Sequence, residues 1–356
     1  MTKPVIVDPD KLRQFGSAEG AVFCLVTNPE FKDDIVIAKS GRYDDYLTVP
    51  LHRGERFEDI LSRIPEPSHI FGVSPAAFFE SPSDEVLGPR RKVLAMACNS
   101  TPTTLDEIRH FLDVMERTSP EEQDGFSDTF FELLEESDHL VYVDAKRNTT
   151  ATLQHLDETL VWNQQAGAIG WGEQQIVPAG EISVLPIDIR EFEEDLHLPL
   201  EGEITIRGYP ILHSGTPSFS RADQQRIYQE LSGLRQHAVV ARVENGVITD
   251  IRPDSPGAQR AVDMLNAMFE VDSRYRIVWE MGHALNTALE IIDGNHAMNE
   301  TYGATHGCLH WGLGLTPYTQ YHLDIISPDT TVRTSNGIIV LGVDGGYDTD
   351  RIATGL

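Results

Sequence analysis

The sequence predicts an α/β protein of two domains, and three observations carry that expectation. Short apolar, β-branched runs alternate with amphipathic helical stretches through the first half of the chain. The composition then shifts near residue 170, after which strand patterns and Asn-Gly turns dominate. Finally, 356 residues are long for one domain, and a hydrophobic content of 40% is enough for real cores. The expected division is 1–170 for an N-terminal α/β domain and 171–356 for a C-terminal mixed, β-rich domain.

In order along the chain, 21–26, 35–38, 68–73 and 92–97 read as buried strands. Residues 105–117 place Ile108, Phe111, Leu112 and Met115 on one helical face, with Thr103 or Thr104 as cap. Ser119-Pro120-Glu121-Glu122 has Ser at the cap, Pro in the first turn and Glu three after the cap, so a second helix should run to about residue 136. Residues 139–143 and 203–209 are further strands. Asn245-Gly246 supplies the positive-φ pair of a hairpin between 238–243 and 247–251, and Asn336-Gly337 marks a second hairpin. Helices are expected at 221–231, capped by Ser220, and at 259–269. The acidic run 191–195 reads as a solvated loop.

Formal net charge is -28, from 56 acidic and 28 basic residues. Such a surface repels nucleic acid and anionic membranes, so neither is an expected partner. Three cysteines, Cys24, Cys98 and Cys308, make no disulfide framework and fit a reducing cytoplasm. No apolar run approaches the ~18 residues of a membrane span, and the charged start is unlike a signal peptide.

Five of the thirteen histidines fall between Trp279 and Asp324, together with Glu280 and Glu300. Imidazole and carboxylate form the ligand set for zinc, cobalt, manganese or iron. His322-Leu323-Asp324 puts both donors on one face of a strand, and His306, Cys308 and His310 alternate in the same way. Spacing alone leaves two readings open, a metal site or hydrogen-bonded histidines in a polar core. Glu181, on a Gly turn between apolar runs, and Glu280, inside an apolar run, both need a partner if buried.

These residues bring a family into view. Pro178-Ala179-Gly180-Glu181, the block from Glu280 to Asn286, His310-Trp311-Gly312-Leu313-Gly314 and His322-Leu323-Asp324 follow one another in order. In this, residues 170–345 resemble the metal-dependent leucyl aminopeptidases of the thermophilic-metalloprotease type. The resemblance implies Glu181, Glu280, His310, His322 and Asp324 as ligands of two divalent ions (zinc, cobalt or manganese), and a homodimer. It implies hydrolysis of a peptide or amide bond beside a free amine. Glu300 and His306 are candidates for moving the proton, and Tyr321, in the short loop before His322, for steadying an oxyanion. His306 also competes with His310 as a ligand. The shortness of that loop points to a small, specialised peptide or amide substrate.

The 2,5-dihydroxypyridine dioxygenases share the superfamily and hold one Fe(II) by two His and one Asp. Their His-Leu-Asp block is similar to His322-Leu323-Asp324, and His283 could supply the second His. A ring-cleaving dioxygenase is therefore the alternative, and a non-catalytic member of the fold is a third reading.

Overall fold

The computed structural model describes residues 3–347 except 19, 78, 188–196, 217, 293 and 316–317. The acidic run at 191–195 lies outside the described residues. Among those described, six α-helices accompany four sheets, a mixed α/β fold with a strand-rich C-terminal region. No described helix is long and apolar enough to cross a membrane.

Two compact units divide the chain. Met1–Asp124 with Gln165–Gly180 forms one, and Gly125–Gln164 with Glu181–Leu356 forms the other. Residues 125–164 thus go with the later chain, rather than preceding a single boundary near residue 170. Strand pairing is the reason. Leu140–Asp144 pairs with Thr331–Thr334, and Thr149–Leu153 with Leu200–Ile206.

In the first unit, five parallel strands lie in the order Gln174–Val177, Arg91–Met96, Ser68–Val73, Val22–Thr27, Asp45–Pro50. Numbered along the chain, this is the doubly wound order 2-1-3-4-5. The three central strands are buried, largely apolar runs, as expected of parallel sheets, while the edge strand Asp45–Pro50 is partly exposed. Leu105–Arg117 is the expected helix. Its cap is Thr104, which forms a capping box with Glu107. At the start of the next helix, Pro120–Glu135, the Glu122 N–H donates to Ser119 Oγ (3.2 Å).

The second unit holds two antiparallel-rich sheets. One runs Tyr209–Ser214, Tyr321–Ser327, Cys308–Leu313, Val278–Ala284, Glu181–Pro186, Leu160–Gln165. The other has seven strands, among them Leu200–Ile206, Leu140–Asp144 and the hairpin Val239–Glu244/Val247–Pro253. Asn245 and Gly246 both have positive φ, as a hairpin of that length requires. The sheets meet through Trp311, whose Nε1 donates to Thr205 O (3.1 Å) and whose ring lies against Tyr142.

One expected strand is two. The run at 203–209 breaks after Ile206, and Tyr209–Ser214 crosses to the six-stranded sheet. Gly208 makes the break: its φ is +143°, and a Cβ there would run into Ile326 O. This crossing brings the second segment alongside Tyr321–Ser327.

Candidate metal centre

Cross-strand partners in an antiparallel sheet share a face. Glu280 lies opposite Gly312, Gly312 opposite Asp324, Gly282 opposite His310, and His213 opposite His322. Four neighbouring strands therefore deliver Glu280, His310, His322, Asp324 and His213 to one face. Glu181, at the start of the next strand, is opposite Ala284 and joins them. The register is unbroken from Glu280 to Ala284, so Glu280 shares the face of Gly282, and a bulge lies just before it, between Val278 and Glu280.

The donors form three groups, each with ligand atoms within 4.8 Å of one another: Glu181, Glu280 and His310; Glu280, His322 and Asp324; His213, Glu300 and Asp324. His310 Nε2 is 3.4 Å from Glu181 Oε1, and His322 Nε2 is 3.3 Å from Glu280 Oε2. His322 Nε2 and His310 Nε2 lie 3.2 and 3.8 Å from Asp324 Oδ1. Glu280 belongs to the first two groups and Asp324 to the last two.

Room for these side chains comes from two glycines. A Cβ at Gly282 would run into the His310 ring and stand 2.7 Å from Glu181 Oε1. At Gly312 it would stand 2.8 Å from Glu280 Cβ and 3.1 Å from Asp324 Oδ1. His322 is oriented through Nδ1, which is 2.8 Å from Gly314 O; a carbonyl only accepts, so Nδ1 donates and Nε2 is left facing Glu280 and Asp324.

Four carboxylates in one buried region repel one another. Burial and the charges of Glu280, Glu300 and Asp324 raise the Glu181 pKa well above its ordinary value. Burial opposes ionisation of Asp324 as well, but the charge of His322 and the close approach of the His213 and His322 rings outweigh it and hold this carboxyl well below the usual range. Glu280 is lowered in the same way, with His322 overcoming burial. The rings gain what the acids lose. Burial lowers His322, but Asp324 and Glu280 raise it well above normal. His213 reaches about 9, where Glu300 and Asp324 outweigh burial.

The donor set fits a cation on two counts. Asp324 Oδ1 is a buried acceptor with no aligned hydrogen bond, facing two ring nitrogens. Protons are the only counter-charge these side chains can themselves provide, whereas divalent ions suit clustered carboxylate and imidazole.

The structure brings together Glu181, Glu280, His310, His322, Asp324 and Glu300, and leaves two expected residues outside. His306 is exposed, ahead of the strand that carries His310, and its backbone N–H donates to the Tyr347 hydroxyl. It is neither near these groups nor a competitor for the His310 position. Tyr321 has the wrong parity: one residue before His322, it points to the other face of the strand. Its hydroxyl donates to Asp223 Oδ2 (3.1 Å) and lies 3.3 Å from Ser220 O, so it steadies the start of the helix Arg221–Leu231 and faces no oxyanion. His283 also faces away, with Nδ1 3.0 Å from Ile182 O and Nε2 3.1 Å from the Tyr142 hydroxyl. It cannot be the second His of an iron site. His213 is the residue that sequence reasoning missed. A lone His after Ile211-Leu212, alternating with Ile211, was its only signal.

No family model matches the chain, and no curated protein sequence matches it. Similarity appears among solved structures. The fold is similar to that of 2,5-dihydroxypyridine dioxygenase from Pseudomonas putida KT2440, at a TM-score of 0.56 and 14% identity over 93% of each chain. AmpT from Thermus thermophilus aligns at a TM-score of 0.42 and 12% identity, over 92% of this chain and 95% of that one. At 14% identity the likeness to the Pseudomonas enzyme is one of fold alone.

Proposed function

We propose that the protein is a dinuclear metal-dependent hydrolase acting on a small peptide or amide beside a free amine. One observation carries this reading: two donor triads share Glu280 on one buried sheet face. Glu181, Glu280 and His310 would hold one divalent ion, and Glu280, His322 and Asp324 the other. When bound, such a pair supplies an acidified water and a Lewis acid for a carbonyl.

The chain's own residues do the rest. Glu300, largely buried beside this face, would accept a proton and return it to a leaving amine. The strands Cys308–Leu313 and Tyr321–Ser327, which carry His310, His322 and Asp324, are almost wholly buried, which strengthens each charge interaction. The free amine and the peptide bond come from the aminopeptidase resemblance.

A ring-cleaving, single-iron dioxygenase is the second reading. It is favoured by the position of His310 and His322 around Asp324 Oδ1, a two-His, one-carboxylate trio, and by the fold likeness to the Pseudomonas enzyme. Elemental analysis of protein purified without chelator, with aminoacyl-nitroanilide turnover and oxygen uptake read alongside, separates the two. About two zinc, cobalt or manganese ions per chain with amide hydrolysis supports the hydrolase. About one iron, with oxygen consumed on a dihydroxylated pyridine, overturns it in favour of the dioxygenase.

A further inference from the structure

We propose that His213 is a positioning residue that divides Asp324 between two tasks: its Nε2 stands between Asp324 Oδ2 and Glu300 Oε2 with its N–H aligned on neither oxygen alone, which leaves Asp324 Oδ1 to face His310 and His322. The inference rests on the dinuclear reading and adds a residue outside its five ligands.

His213 Nε2 lies 3.0 Å from Glu300 Oε2 and 3.0 Å from Asp324 Oδ2. Carboxylate oxygens only accept. A bare nitrogen lone pair between two of them would be repelled, so either a proton or a cation stands there. Charge decides between them. Glu181, Glu280, Glu300 and Asp324 together offset two divalent ions, and a third ion would leave two positive charges uncompensated in a buried region, which is costly. A proton on Nε2 fits.

The backbone keeps this ring in place. His213 sits opposite His322, and Ile211 opposite Asp324, so His213 reaches Asp324 along the diagonal of the strand pair. Both backbone groups of the preceding residue are clamped: Leu212 N–H donates to Asn295 Oδ1 (2.6 Å), and Gln224 Nε2 donates to Leu212 O (2.5 Å). The segment Ala297–Thr301 carries Glu300 to the same ring, with Asn299 tied to Ile292 N and O. Two chain segments far apart in sequence therefore meet at one imidazole. Without that donor, Asp324 is free to turn and offer both oxygens to one ion, and Glu300 loses its anchor beside the acidic face.

The test is a Co2+ titration of the metal-stripped protein, read by visible absorbance and by cobalt content after gel filtration. His213→Asn and His213→Gln are compared with wild type. The Gln amide nitrogen reaches nearly as far as Nε2, while the Asn amide falls short. Glu181→Gln and Asp324→Asn assign each bound ion to its triad. The expected result is about two ions in wild type, with the Asp324-dependent ion bound roughly 10–100-fold more weakly in His213→Asn. The Glu181-dependent ion stays unchanged, and His213→Gln restores most of the lost affinity. Wild-type affinity in His213→Asn overturns the inference, as does a Gln variant as weak as Asn. Three ions in wild type and two in His213→Asn would make His213 a ligand and overturn it as well. Fewer than two ions in wild type overturns the dinuclear reading, and this inference with it; the wild-type titration alone reveals that case.

Discussion

The strand Val278–Ala284 sends Glu280 to one face of its sheet and His283 to the other, and the two faces have opposite chemistry. On the Glu280 face, imidazoles meet carboxylates, which outweigh burial and raise the pKa values of His213 and His322. On the far side His283 meets Phe130, Trp162 and Tyr142. Burial there pushes its pKa down to about 3. Residue type is the same and burial is similar. What differs is the charge across the gap, set by strand parity. A histidine count cannot separate a ligand from a packing residue, but register can.

Removing a donor from the acidic face should break the contrast most severely. Asp324→Asn takes away the carboxylate shared by two of the three groups, and bound metal should fall from about two ions to one or none, with hydrolysis lost. His283→Gln, on the other face, should keep full metal content. Elemental analysis of both variants in one buffer reads the difference, and equal loss in both would mean that the faces are not functionally distinct.

Gly282→Ala should come next in size. The added methyl group meets the His310 ring and Glu181. Overpacking of this kind costs about 1–3 kcal/mol, and it should weaken the Glu181-dependent ion well before the Asp324-dependent one. Denaturant melts and a Co2+ titration would show both effects. An alanine tolerated at 282 with both ions retained would argue that His310 is not held where the structure has it.

Legibility followed periodicity. The helix at Leu105–Arg117 and the Asn245-Gly246 hairpin follow from local pattern alone. The five donors Glu181, Glu280, His310, His322 and Asp324 were readable as ordered blocks, and Glu300 as an acid close in sequence. The rest depended on tertiary events. His213 reaches the site because the chain turns at Gly208 and changes sheets, and a strand pattern continuous across that glycine hides the turn. Tyr321 looked like a site residue because it is adjacent to His322, yet adjacency along a strand means the opposite face. His306 has the same parity as His310, but it precedes the strand, so parity carries no information there.

Acidity gives a smaller and opposite-signed test of the two faces. His283 has a folded pKa near 3, against about 6.5 when unfolded. Between those values the unfolded chain binds the extra proton, so stability is lost as pH falls below about 6.5, by up to ~1.4 kcal/mol per pH unit. His69, buried against Phe15 and also lowered to about 3, contributes in the same direction in the other unit. His213 runs the other way in metal-stripped protein: raised to about 9, its contribution is full below about pH 6.5 and is lost as pH rises through 9. Urea midpoints at pH 5, 7 and 9 should therefore become less acid-sensitive in His283→Gln and less alkali-sensitive in His213→Gln.

The smallest effect belongs to Tyr321→Phe. The phenol hydroxyl touches Ser220 and Asp223 and none of the donors. Its loss should cost about 0.5–1.5 kcal/mol of stability, the worth of an ordinary hydrogen bond, through the start of the helix Arg221–Leu231. Metal content and the Co2+ spectrum should stay as in wild type, because the aromatic ring that packs the far side of the His322 strand remains. Turnover should change by less than about twofold, since removing an oxyanion donor would instead cost about a hundredfold or more. A large drop in turnover with unchanged melting would place the hydroxyl at the reacting carbonyl, which requires the strand to present its other face to substrate. Parity would then not be what separates the two sides of this sheet.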